Sequence, residues 1–197
     1  MKKFAEFISL IFNPLFMILL IILLGIEKSV LSQTETIVLL LIVLLFNGFL
    51  PACSLLYFSN KGIVIDDIVY NKKVIKNRAF LLAWGTIISF LECVMLYLLK
   101  KPEPIFAILI ALLIMMAILF SVNIYRKISL HASGITFFCL TTIMLFGWKL
   151  WPILILIPLV SWSRLYLVRH TAKQLLAGVL LSTVIVWGIF YFSNLIP

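Results

Sequence analysis

Two histidines and an arginine hold most of the reactive chemistry in this chain. His170 lies in Ser163-Arg164, five residues, His170, three residues, Gln174. The only other histidine, His131, lies in Arg126-Lys127-Ile128-Ser129-Leu130-His131-Ala132-Ser133-Gly134. Both stand at the mouth of an apolar run beside basic residues. The inventory is cations, two imidazoles and serines, with no carboxylate pair, no cysteine next to a histidine and no glycine-rich phosphate loop. That set suits an anion, and in a membrane the expected anion is a phosphorylated lipid. Arginine grips phosphate oxygens in a bidentate way, and the helix N-termini expected near Ala132 and Lys173 add backbone donors. A histidine can attack phosphorus when its other ring nitrogen is held as a donor, and a second histidine can protonate the departing oxygen.

The elements that must position these groups are membrane spans. With 64% hydrophobic and 12% charged residues and a mean hydropathy of +1.24, the chain has too little polar surface to cover itself in water. Runs of roughly 20 apolar residues are long enough to cross a bilayer. They fall at 7–26, 36–58, 79–99, 104–124, 132–148, 150–168 and 174–195. The fifth and sixth are short, joined by Trp148-Lys149-Leu150, and form either a tight hairpin or a path bent at Pro152 and Pro158. The expected fold class is an all-α integral membrane protein, a bundle of six or seven transmembrane helices. The chain reads as one membrane domain, 1–197, with two N-terminal spans in 1–59 and a core in 60–197. The start, Met1-Lys2-Lys3, is expected to enter a first span and not a cleaved signal peptide, since Glu6 interrupts it and no small-residue cleavage pattern follows Lys28.

Charge placement orients the bundle. With seven spans, twelve of the sixteen Lys and Arg residues fall on the side of the N-terminus, leaving Lys28, Lys100, Lys101 and Lys149 on the other. The positive-inside tendency puts the rich side in the cytoplasm, and the expected location is the inner cell membrane. Three polar clusters, Asn60 to Arg78, Asn123 to His131 and Ser163 to Gln174, are separated each time by two spans. Arg78, Lys127, His131, Arg164 and His170 are therefore expected to converge at one end of the bundle, where facing helices build sites.

These residues resemble the type 2 phosphatidic acid phosphatase family of integral membrane phosphatases. Its last motif is Ser-Arg, five residues, His, three residues, Asp; Ser163, Arg164 and His170 match, with Gln174 in the final place. Its middle motif, Pro-Ser-Gly-His, is met by Ser129 and His131. Its first motif, Lys, six residues, Arg-Pro, is met by Arg78, which precedes Ala79, with Asn71 at the Lys position and Lys72 one residue later. The resemblance covers roughly 60–182. It implies that His170 is a nucleophile forming a phosphohistidine, that His131 is the acid for the leaving group, and that Arg164 and Ser129 cradle the phosphoryl oxygens. Arg78, Lys72 and Lys127 would add positive charge. It also implies metal-independent chemistry with no cofactor. Gln174 departs from the family: an amide can accept the ring N–H of His170 but brings no charge. Dolichyl diphosphatases look similar here, with His-Thr, two residues, Gln and a following Gly, as in His170-Thr171-Ala172-Lys173-Gln174 and Gly178.

The implied activity is hydrolysis of a lipid phosphomonoester or diphosphate, of the polyprenyl diphosphate, phosphatidic acid or phosphatidylglycerophosphate type. The alternative is a catalytically inactive relative that binds or moves phosphorylated lipids. Partners are then the lipid substrate and membrane lipids, with no nucleic acid; the sequence leaves oligomeric state open. The remaining polar features read structurally. Cys53, Cys93 and Cys139 are expected to be small buried packing residues. Glu92 falls in mid-span, where a carboxyl costs about 3 kcal/mol. It should therefore face the bundle, paired with Asn47 or Asn123 or lining a lipid groove. Tyr57, Tyr70, Trp84, Tyr97, Trp148, Trp151 and Trp162 mark span ends.

Overall fold

The computed structural model describes residues 1–60, 72–99 and 103–195, with the side chains of residues 58, 59 and 72–78 outside the described set. Along these residues the chain forms α1 (Lys2–Ile11), α2 (Pro14–Lys28), α3 (Gln33–Val43), a π-helical turn (Leu44–Phe49) and α4 (Leu50–Asn60). After them come α5 (Lys72–Leu98), α6 (Ile105–Asn123), α7 (Leu130–Phe146), a 3₁₀ segment (Trp148–Ile155), α8 (Leu156–Tyr166) and α9 (Ala172–Phe192). The protein is an all-α membrane bundle. Its outward surface is apolar, with Phe90, Val184 and Phe192 all exposed, as expected of helices solvated by lipid.

Local sequence explains where the helices start. Asn13 Oδ1 accepts from Leu15 N at 3.0 Å and Pro14 takes the first helical position, a pairing that opens α2 and closes α1. The apolar run Lys2–Lys28 is long enough to cross a membrane, but it is broken at Phe12-Asn13, and α1 packs on α8 while α2 enters the bundle. The expected span at 7–26 thus divides in two. Ser32 and Glu35 form a capping box at α3, Ser129 caps α7, and Thr171 with Gln174 forms a second capping box at α9.

Five stretches are long and apolar enough to cross: Lys2–Lys28, Gln33–Tyr57, Ala79–Leu98, Ile105–Asn123 and Ala172–Phe192. Besides the divided first span, two more of the seven expected spans differ. α7 has only 17 residues, about 25 Å of helix. The region expected at 150–168 begins as 3₁₀ structure around Pro152 and becomes regular helix only at Leu156. Because 3₁₀ structure rises about 2.0 Å per residue, residues 148–166 extend about 32 Å in all.

Contacts fix the direction of the central helices. Pro14 at the start of α2 lies against Gly134 near the start of α7, and Lys28 at the end of α2 sits over the Phe146 ring at the end of α7. The two helices run parallel. α9 joins them in the same sense, since Gly178 meets Ser129 and Ser133 and Trp187 stacks near Trp148. With no hydrophobic drive between helices in lipid, close approach through small residues supplies the packing. A Cβ on Gly178 would stand 2.9 Å from the Ser129 carbonyl and from Ser133 Oγ, so only glycine lets α7 and α9 come this near. Ser182 Oγ adds a bond to the Ser133 carbonyl at 2.9 Å.

In mid-bundle, Glu92 is fully buried and Asn47 Nδ2 donates to both its oxygens, at 2.7 and 2.9 Å. Of the two partners the sequence offered, Asn47 is the one, presented by the π-helical turn. Cys93 and Cys139 are buried, whereas Cys53 is exposed on α4, because α4 turns that side outward. That corrects the expectation that all three cysteines pack inside.

Candidate functional site

The site is assembled where two loops meet at the N-terminal ends of α7 and α9. The first loop leaves α6 at Asn123, whose buried side chain donates to the Leu119 carbonyl at 2.7 Å and accepts from Ile128 N at 3.1 Å. It ends at Ser129, whose Oγ accepts from Ala132 N at 3.3 Å and starts α7. His131 follows on the first turn.

The second loop leaves α8 at Tyr166 and reaches α9 in five residues. Val168 turns it with φ of 55°, a left-handed conformation that costs a β-branched residue about 1–2 kcal/mol. Arg169 N donates to the Arg164 carbonyl at 3.0 Å, closing the turn, and His170 emerges just before the Thr171 cap. The two loops are stapled together. Ser129 N donates to the Gln174 carbonyl at 3.2 Å, and Lys127 Nζ donates to the Arg169 carbonyl at 3.0 Å.

His131 and His170 line one cavity of about 410 Å³ whose walls are otherwise mainly apolar, with Leu82, Ile88 and Leu112 among them. This volume falls within the range of small-ligand sites. His170 is nearly buried, and its Nδ1 stands 3.2 Å from Gln174 Oε1. The same Oε1 accepts from Thr171 N at 3.1 Å, so one amide oxygen both caps α9 and faces the imidazole. Arg164 is 5% exposed. Its Nη1 donates to Ser9 Oγ at 2.7 Å, and that hydroxyl lies 3.4 Å from His131 Nε2.

The sequence-derived residues thus fall into groups. His131 and His170 share a cavity, Gln174 supports His170, and Arg164 connects to His131 through Ser9. Ser129 is fully buried, with its hydroxyl oxygen turned to the first turn of α7. Lys127 reaches the neighbouring loop. The side chains of Arg78 and Lys72 lie outside the described residues. Ser9 was not anticipated, and no spacing or motif singles out a serine in an apolar helix. Among the described residues, no three His, Cys, Asp or Glu side chains gather as a metal would require.

A second groove, lined by Leu10, Phe16 and Gly48 among others, shares Asn13, Leu15, Asn47, Pro51 and Leu55 with the cavity wall. The two are contiguous along the seam between the α1–α2 junction and the start of α4. The fold and site together define an all-α membrane protein with paired histidines and a buried arginine at one end of its bundle. Residues 124–196 match the model of the PAP2 superfamily. That segment holds Lys127, Ser129, His131, Arg164, His170 and Gln174, and it excludes the first-motif region. No protein of curated function and no solved structure matches the chain.

Proposed function

We propose that the protein is a membrane phosphatase that hydrolyses a phosphomonoester or diphosphate of a lipid through a phosphohistidine. The observation that carries this is the opening of His131 and His170 into one apolar cavity, inside a segment matching the PAP2 superfamily. Gln174 faces Nδ1 of His170, so attack falls to Nε2. That atom bonds to phosphorus as the bond to the lipid oxygen breaks, and His131 gives the departing oxygen a proton. In the second step His131 takes a proton from water, which attacks the phosphohistidine and releases inorganic phosphate. Arg164 balances charge on the phosphoryl oxygens.

The cavity suits a lipid chain, and the groove continuous with it offers lateral access from the bilayer. The His170-Thr171-x-x-Gln174 arrangement resembles dolichyl diphosphatases, which makes a polyprenyl diphosphate the first substrate to test, with phosphatidic acid second. We place the site on the cytoplasmic face of an inner membrane, from the charge distribution. The amide at Gln174 supports a second reading, a non-catalytic protein that binds or moves phosphorylated lipids.

The test is phosphate release by the purified full chain from farnesyl diphosphate and from dioctanoyl phosphatidic acid, without added metal. The expected outcome is turnover by the wild type and none by His170→Ala. Equal, negligible release by both, with lipid binding retained, establishes the binding protein.

A further inference from the structure

Ser9 lies outside the sequence motifs and outside the segment that matches the PAP2 superfamily. Yet it offers two oxygens to the two side chains that a phosphoryl group would meet. Its hydroxyl accepts from Arg164 Nη1 at 2.7 Å and lies 3.4 Å from His131 Nε2. Its backbone carbonyl is 3.3 Å from the same nitrogen. Charge-assisted bonds from arginine to phosphate fall at about 2.7–2.9 Å, so a phosphoryl oxygen and Ser9 Oγ compete for this Nη1 donor.

We propose that Ser9 is an internal stand-in for the phosphoryl group, and that substrate binds by displacing the last turn of α1 from between Arg164 and His131. The proposal rests on the reading of Arg164 and His131 as phosphate ligands, and it makes Ser9 an affinity-determining residue of that site.

Two further observations support displacement. His131 and His170 stand in the cavity wall, but Arg164 and Ser9 do not. A phosphate held by the histidines gains Nη1 of Arg164 by taking the place of Ser9 Oγ on that donor. The element that must move is also lightly held. α1 buries only Ala5 and Ile8, whereas thirteen residues of α7 are buried, and elements with few buried contacts open most readily. Its joint to α2 is non-helical at Phe12 (φ −91°, ψ 40°) and at Asn13 (φ −63°, ψ 133°). Pro14 contributes no N–H to bridge the break. The outward face of α1 carries Phe4, Phe7 and Leu10, all exposed, a composition that suits a helix resting on the bilayer interface. When a closed form must open first, apparent affinity is reduced to the fraction of molecules that are open.

The test uses the full chain in detergent micelles and inorganic phosphate as probe. Ser9→Ala keeps α1 helical but removes the competing hydroxyl. Phosphate should bind it roughly five- to tenfold more tightly than it binds wild type, the scale of one net hydrogen bond. The KM for lipid phosphate should fall by a similar factor. Unchanged or weaker phosphate binding by Ser9→Ala overturns the proposal. Ser9→Cys in a Cys53→Ser background gives an independent readout, because the remaining native thiols, Cys93 and Cys139, are buried. Phosphate should speed labelling of the introduced thiol by a hydrophilic maleimide; protection or no change counts against displacement. Faster labelling of Ser9→Cys and tighter phosphate binding by Ser9→Ala, alongside a wild type that releases no phosphate from lipid, would uphold the proposal while removing the hydrolase reading.

Discussion

One oxygen, Gln174 Oε1, faces both a helix N-terminus and the His170 imidazole, and the two roles separate experimentally. It accepts from Thr171 N at 3.1 Å and stands 3.2 Å from His170 Nδ1. Thr171→Ala removes only the hydroxyl that caps Gln174 N at 3.4 Å. It should cost about 1 kcal/mol, lowering the melting temperature by about 2–4 °C, with hydrolysis near the wild-type rate. Gln174→Ala removes both contacts. A hydrogen bond to a group that becomes charged during the reaction contributes about 1.5–3 kcal/mol, so kcat/KM should fall roughly 10- to 150-fold beyond the loss of the cap. Gln174→Glu retains both acceptors and adds a charge that strengthens the bond to imidazolium and suits the first turn of α9. Its rate should equal or exceed that of wild type. The assays are initial rates of phosphate release in micelles, paired with thermal melts by circular dichroism. A Gln174→Ala protein that melts earlier but turns over normally would refute the reasoning, because the oxygen would then be a helix cap alone.

Two further substitutions probe the scaffold. Gly178→Val places a branched side chain against the Ser129 carbonyl and Ser133 hydroxyl. This overpacking should cost about 1–3 kcal/mol and lower turnover at least tenfold by shifting both histidines, at unchanged helix content in circular dichroism; normal turnover refutes the proposed dependence on close α7–α9 packing. Asn47→Leu removes both bonds to Glu92 and should destabilise the bundle by about 1.5–3 kcal/mol. Adding Glu92→Leu should restore much of the lost melting temperature, since the burden lies in the partnerless carboxyl.

The membrane class was legible from hydropathy, and the meeting of His131 with His170 followed from counting crossings between polar clusters. Glu92 could be assigned a buried partner because a mid-span carboxyl has few other options. The break between α1 and α2 was also written locally, in an N-cap asparagine followed by proline, but the hydropathy of 7–26 ran straight over it. Ser9 was hidden for a different reason: its role depends on α1 folding back along α8, a tertiary contact without periodicity. Ser129 matches a motif position, yet its hydroxyl oxygen is directed to a helix end, since the same chemistry that suits phosphate also suits a first turn. Cys53 shows that an apolar run does not say which of its faces meets lipid.

The cavity wall carries a consequence for how this protein can change. Only Leu130, His131, Gly134 and His170 in that wall come from the matched segment; the rest is supplied by α2, the π-helical turn and α4 to α6. The histidine-bearing end and most of the apolar cavity wall are thus encoded in separate stretches of the chain. If the proposed lipid phosphatase reading holds, substitutions in the first 120 residues would retune which tail is accepted while leaving the histidine geometry in place, so substrate preference and bond-breaking chemistry would be free to diverge at different rates.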